Sequence, residues 1–311
     1  MNTASVRPID LIAPGALHIA AYEAGPADGP VMILLPGWPQ TARAWRQVQP
    51  LLAAAGYRSI AIDLPGMGDS DFLPAGIAYD TGHVADLLSA AVAAAGVRGF
   101  TLVGHDVGTW TSYAWATRHP ELIERLCLTE AAVPGVTPDA AFGIANAARV
   151  FRFYFCAVEG LPEILTQGRE RAFFEWLFES KALVKGAVHV DEYAPSFSRP
   201  GRMSAGFGYY RAVPISMKQN AAAAPPHMPL LALGGEGSLG DSLFRAIKAV
   251  APQTQGGVMP GVGHYLPEEA PQDLVDRLLA FATAEQSASN SHWFPLISGS
   301  VARRRGSVAG E

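Results

Sequence analysis

In the stretch Phe100-Thr101-Leu102-Val103-Gly104-His105-Asp106-Val107-Gly108-Thr109-Trp110, four mostly β-favouring residues run into Gly-His-Asp-Val-Gly, and a helix-like segment follows to His119-Pro120. A glycine two before and two after Asp106 is what a sharp strand-to-helix turn requires, because a Cβ at either place would collide with neighbouring backbone. The turn presents one side chain in a strained backbone conformation, and here that side chain is a carboxylate. With a reference pKa of about 3.9 it is ionised at neutral pH and can attack without first losing a proton to a base. Attack on an ester would gain little, since the product is an anhydride. Attack on saturated carbon gives a covalent alkyl ester, and epoxides and alkyl halides are the substrates that call for it.

An alkyl ester on Asp106 must then be cleaved by water, which needs a general base and a partner to orient it. Glu130 follows the apolar run Ile123–Thr129, and His264 lies in Pro260-Gly261-Val262-Gly263-His264-Tyr265. Nucleophile, acid and base thus occur in the order Asp, Glu, His, the chain order of a hydrolytic triad built on an open sheet. Glu236 and Asp241, after the next strand, are rival positions for the acid. A tetrahedral oxyanion needs donors, and the backbone N–H groups of Val107 and of Trp38, in the turn Pro36-Gly37-Trp38-Pro39-Gln40-Thr41, are the expected ones. Ring opening of an epoxide also needs an acid for the departing oxygen. Tyrosine, with a pKa near 10, is acidic enough for an alkoxide, and Tyr209-Tyr210-Arg211 offers two.

These groups need a scaffold that brings distant residues to one edge. Strands are expected at Ala16–Ala24, Val31–Leu35, Arg58–Leu64, Phe100–Gly104, Ile123–Thr129, Pro229–Leu233 and Gly257–Met259, with helices through Trp45 to Ala55 and over Tyr79–Ala95, Asp241–Val250 and Glu269–Ala284. Alternation of this kind, joined by short loops, predicts an α/β fold, a mostly parallel sheet with helices on both faces. Open parallel sheets place their sites at the carboxyl ends of strands, where Asp106, Glu130, His264 and the Pro36–Pro39 turn all fall. From residue 131 to 220 the rhythm changes to helices over Phe142–Phe155 and Leu161–Ser180, read as a helical cap inserted into a core of residues 1–130 and 221–285. The Ser-rich, then basic stretch 286–311 is expected to be a flexible tail.

Composition narrows the function classes. The chain has 311 residues, 49% hydrophobic and 16% charged, with a net charge of -5, which fits an enzyme with a large core rather than a binder of nucleic acid. No apolar run is long enough to span a bilayer and the first residues lack the apolar core of a secretion signal, so a cytoplasmic protein is expected. Cys127 and Cys156 form no disulfide framework or metal pattern, and no phosphate loop or dinucleotide fingerprint occurs, so neither cofactor nor metal is expected.

With these residues assembled, the chain resembles the epoxide hydrolases of the α/β-hydrolase superfamily, most closely the Cif-like bacterial branch, from about Val31 to Ala282. Gly104-His105-Asp106-Val107-Gly108 is similar to that family's nucleophile elbow, Asp63-Leu64-Pro65-Gly66-Met67-Gly68-Asp69-Ser70 to its Gly-rich loop, and Gly261-Val262-Gly263-His264-Tyr265-Leu266-Pro267-Glu268-Glu269 to its base-histidine motif. Tyr209-Tyr210-Arg211 resembles the cap tyrosine motif, which implies Tyr210 as the ring-opening donor. In the Cif-like branch the acid stands 24 residues beyond the nucleophile, which implies Glu130. Two positions depart from the pattern. Pro36 replaces the usual His of the oxyanion turn, and Arg152, in Phe151-Arg152-Phe153-Tyr154-Phe155, stands where the family carries a second ring-opening donor. Arginine donates hydrogen bonds but cannot give up a proton. The resemblance implies hydrolysis of an epoxide by water through an ester on Asp106, with Arg152, Tyr154 and Tyr209 contacting substrate, in a monomer or homodimer. Dehalogenation by the same Asp nucleophile is the alternative. Val107 weighs against it, since haloalkane dehalogenases usually carry Trp there. A non-catalytic binding protein on the same fold is a further alternative.

Overall fold

The computed structural model describes residues 5–138 and 143–284; the expected tail lies outside them. Eight strands form one sheet: β1 (Arg7–Ala13), β2 (Leu17–Ala24), β3 (Val31–Leu35), β4 (Arg58–Ile62), β5 (Phe100–His105), β6 (Ile123–Thr129), β7 (Leu230–Gly235) and β8 (Gln255–Met259). Their spatial order is β1-β2-β4-β3-β5-β6-β7-β8. β1 pairs antiparallel with β2, β2 pairs antiparallel with β4, and every other pairing is parallel.

β5 sits at the middle, buried over all six residues, as an apolar strand covered on both faces must be. Side chains alternate between two cores. Ile33, Leu35, Leu102, Leu126 and Leu128 point into one, packed against helices α2 (Thr81–Ala94) and α3 (Val107–Arg118). Met32, Leu34, Val103, Cys127 and Leu233 point into the other, against helix α1 (Val48–Ala54) and the closing helix (Pro271–Thr283). Both cysteines are buried and free.

Between β6 and β7 the described chain holds helices and no strand: α4 (Ala147–Ala157), α5 (Leu161–Thr166), α6 (Glu170–Lys181), α7 (Ala194–Phe197), α8 (Arg202–Arg211) and α9 (Val213–Ala222). This helical layer meets the sheet's carboxyl edge through Trp38. The indole is ringed by Phe173, Phe174, Phe197, Phe207 and Tyr210 at centroid distances of 5.5–6.5 Å. Aromatic pairs of this kind contribute about 0.5–1.5 kcal/mol each beyond their buried area. After β7 come α10 (Ser242–Val250), α11 (Leu266–Glu269) and α12 (Pro271–Thr283).

Two expectations need correction. The strand β1, which pairs along the sheet's edge with β2, was not expected, because only two of its seven residues are buried and its alternation is weak. The single helix expected over Leu161–Ser180 is two, α5 and α6, parted at Gly168, whose φ of 71° no helix accommodates.

Candidate active site

The carboxyl edge of the sheet gathers the expected groups. Asp106 joins β5 to α3 with φ 51° and ψ -117°, a conformation strained for a side-chain-bearing residue. The turn can be this tight only because its neighbours are bare. A Cβ on Gly104 would come within 2.5 Å of the Gly108 carbonyl, and one on Gly108 within 2.3 Å of the Leu35 carbonyl. Gly37 serves the same end from the facing turn, where a Cβ would lie 2.4 Å from that of Asp106.

The two carboxylate oxygens of Asp106 have different company. Oδ1 accepts the backbone N–H of Trp38 at 3.1 Å, whereas Oδ2 lies 3.0 Å from Arg152 Nη2 and 3.3 Å from His264 Nε2. Burial pushes this carboxyl up, but the Arg152 guanidinium and His264 outweigh it and hold it well below the usual carboxylate range. Val107, the other expected oxyanion donor, is the first residue of α3.

Glu130 also adopts a positive φ, 49°, just past β6, and is fully buried. One of its oxygens accepts the Gly235 and Leu239 N–H groups at 2.6 and 3.2 Å; the other accepts Ser238 Oγ at 2.7 Å and meets His264 Nδ1 at 2.8 Å. The imidazole is thus fixed between the two carboxylates, Nδ1 on Glu130 and Nε2 facing Asp106. The rival acids lie elsewhere. Glu236 accepts the Gly261 N–H, and Asp241 pairs with Arg245 at the surface.

His105, for which no role was expected, packs its ring 5.1 Å from that of His264. Burial, reinforced by His264, pushes it down to about 3, so it lies behind His264 as a neutral ring.

Of the residues expected from the helical layer, Tyr210 and Arg152 reach the surroundings of Asp106. Tyr210 is wedged between Trp38, Trp110 and Phe153, and its buried hydroxyl has no hydrogen-bond partner. Its burial pushes the phenol well above the usual range, so it stays protonated. Tyr209 does not join it. Its hydroxyl donates to the Pro65 carbonyl at 3.0 Å and its ring packs on Tyr79, committing it to the Gly-rich loop. Tyr154 is 58% exposed, because two residues along a helix is about 200° around it from Arg152.

A cavity of about 300 Å³ opens onto Asp106, Arg152 and His264 and is walled by Trp110, Val150 and Phe153. Phe153, Ser238 and Leu239 could not be found from the sequence, because nothing in their types or spacing marks them. A wider cleft of about 510 Å³, from Phe72 to Ser204, contains none of the triad and is open to solvent. Among the described residues no cluster of His, Cys, Asp and Glu could hold a metal ion, and no helix is long and apolar enough to cross a membrane.

The family model for the alpha/beta hydrolase fold matches residues 30–156. A soluble epoxide hydrolase from Corynebacterium sp. (strain C12) is 30% identical over 265 residues, 82% of this chain and 90% of that protein. Epoxide hydrolase 3 of Mus musculus is 24% identical over 279 residues, 85% of this chain and 74% of the mouse protein. Among solved structures, Cfl2 from Burkholderia cenocepacia superposes with a TM-score of 0.85 at 37% identity, covering 90% of this chain and 97% of Cfl2.

Proposed function

The chain belongs to the epoxide hydrolase family of the α/β-hydrolase fold, and we propose that it hydrolyses an epoxide to a vicinal diol through a covalent ester on Asp106. The observation that carries this reading is a buried carboxylate, on a strained turn, whose Oδ2 has a Glu130-oriented imidazole 3.3 Å away. Oδ2 attacks a ring carbon, the C–O bond breaks, and the Tyr210 hydroxyl gives its proton to the departing oxygen. His264 then takes a proton from water, which adds to the Asp106 carbonyl carbon. The Trp38 and Val107 N–H groups hold the resulting oxyanion. As the ester collapses, His264 returns its proton to the leaving alkoxide, and the proton left on the carboxyl passes to the Tyr210 oxygen. Residues 131–220 act as the cap that shuts water out during the first step.

Dehalogenation fits less well. Trp110 Nε1 donates to the Ala132 carbonyl, and Trp38 Nε1 lies against Gly206 in α8, so neither indole N–H is aimed at a departing halide.

The test is a single turnover of styrene oxide in H₂¹⁸O. The heavy oxygen is expected in the peptide that contains Asp106 and not in the first diol released. Label in the diol on that turnover would overturn the ester mechanism. Turnover of styrene oxide by Asp106→Asn equal to that of wild type would overturn the role of Asp106, and no diol from wild type with any epoxide would overturn the function.

A further inference from the structure

The oxygen of Asp106 that carries no backbone donor is the one available for attack, and a guanidinium covers it. Arg152 reaches Oδ2 with Nη2 at 3.0 Å and is held from behind by the Trp38 carbonyl, 3.3 Å from Nη1. Its Nε is buried without a partner, as is the Tyr210 hydroxyl. The Asp106 carboxylate offsets the burial that works against the charge of Arg152. Two unsatisfied buried donors therefore flank the nucleophile, one able to give a proton and one unable to.

The movement of charge says what the second is for. Alkylation converts the Asp106 carboxylate into a neutral ester, and the electron pair of the broken C–O bond carries the negative charge onto the epoxide oxygen. Arg152 cannot follow by losing a proton, and a buried cation left without an anion is strongly unfavourable. Its ionic partner, Asp106, is the group that disappears. A neutral epoxide supplies a replacement within reach, so the number of charges in the site is unchanged through ring opening. A substrate carboxylate would compete for Arg152 and leave the buried Asp106 carboxylate without its guanidinium partner. Lys181, the other cation on the cavity wall, is already engaged.

We propose that Arg152 is the second ring-opening group of this site, its guanidinium passing from Asp106 Oδ2 to the epoxide oxygen while Tyr210 gives the proton, and that the site therefore takes neutral epoxides and is inhibited by small carboxylates. This rests on the function proposed above. The bonds balance: Oδ2–C forms, C–O breaks, and the Tyr210 proton ends on the new hydroxyl, leaving a tyrosinate beside Arg152 until the second step restores it.

The experiment follows ester formation by rapid quench and intact mass in a His264→Gln background, where the ester accumulates. Styrene oxide, 3-phenylglycidate and a bromoalkane are compared with Arg, Met and Lys at position 152. Arg152→Met is expected to slow ester formation from styrene oxide about 10²–10³-fold, and Arg152→Lys to keep more of the rate. The bromoalkane, whose leaving group needs no cation at that place, is expected to lose less than 10-fold. Acetate is expected to inhibit the Arg152 enzyme and not the Met variant. If Arg152→Met leaves styrene oxide unaffected and raises KM only for 3-phenylglycidate, Arg152 is a carboxylate receptor and the proposal is wrong. An Arg152→Lys enzyme as slow as Arg152→Met on styrene oxide also overturns it. No ester from any epoxide with Arg152 in place overturns the function proposed above, and this inference with it.

Discussion

Glu130 is held by three donors besides His264, so its position does not depend on the imidazole it meets. Glu130→Gln keeps those contacts in outline but offers an amide to Nδ1, which favours the wrong tautomer. Turnover should fall roughly 10³–10⁴-fold, with the ester accumulating, while Glu236→Gln stays within a few-fold of wild type; steady-state kinetics and intact mass on both variants check this. Asp106 behaves in the opposite way to the usual buried acid. Burial would protonate Asp106, but Arg152 and His264 hold its carboxyl below the normal range, so the ionised form persists as pH falls. In a His264→Gln background Arg152, the stronger of the two, remains, so ester formation should be flat from pH 8 to pH 5; a decline with a midpoint inside that window would show that Arg152 does not hold the carboxyl down. Asp106, Glu130 and His264 were legible because each chemical type ends a recognisable strand. Tyr209 and Tyr154 were misplaced, since which face of a helix meets the pocket depends on packing that the sequence does not state.

The turn after β3, the elbow and α8 form one contact at the level of elements. Trp38 supplies the N–H that holds Oδ1, and its ring lies on Gly206, where a Cβ would fall 2.2 Å from Nε1 and 2.5 Å from Cδ1. An exposed Gly→Ala change inside a helix ordinarily stabilises by about 1 kcal/mol. Gly206→Ala should instead destabilise by about 1–3 kcal/mol through overpacking and lower kcat, because the indole that must move carries the donor backbone with it. Urea unfolding and kinetics on one variant check both effects. The parallel strands and core helices were readable from apolar runs bounded by turns. The edge strand β1 was not, because an edge exposes what a central strand buries. The α5–α6 break was missed because Gly168 gives no warning until the chain must reverse there.

Across the whole molecule, the helical layer is tied to the sheet by a buried polar knot. Glu268 in α11, four residues past His264, meets Arg46 and Gln40, and the Tyr193 hydroxyl just before α7 lies 3.4 Å from both Gln40 Nε2 and Arg46 Nη1. Burial pushes the Glu268 carboxyl up to about 7, against the opposing pull of Arg46. The folded state therefore binds a proton there more tightly than the unfolded chain does. Stability is greatest below the unfolded value, near 4.5, falls as pH rises toward 7, and is level above it, a change of about 3 kcal/mol. Melting temperature should decline across that window in wild type and lose most of the slope in Glu268→Gln; an unchanged slope would remove Glu268 as the cause. No sequence pattern joins residues 40, 46, 193 and 268, so only the folded chain reveals the knot. The placement of the helical layer between β6 and β7 has a further consequence for a chain made on a ribosome. Trp38 and Asp106 are synthesised first, Arg152 and Tyr210 next, and His264 last. On the proposed mechanism the groups that capture an epoxide thus precede the one that lets it go. Until residue 264 has left the exit tunnel, any nascent site able to react could do so once and never turn over.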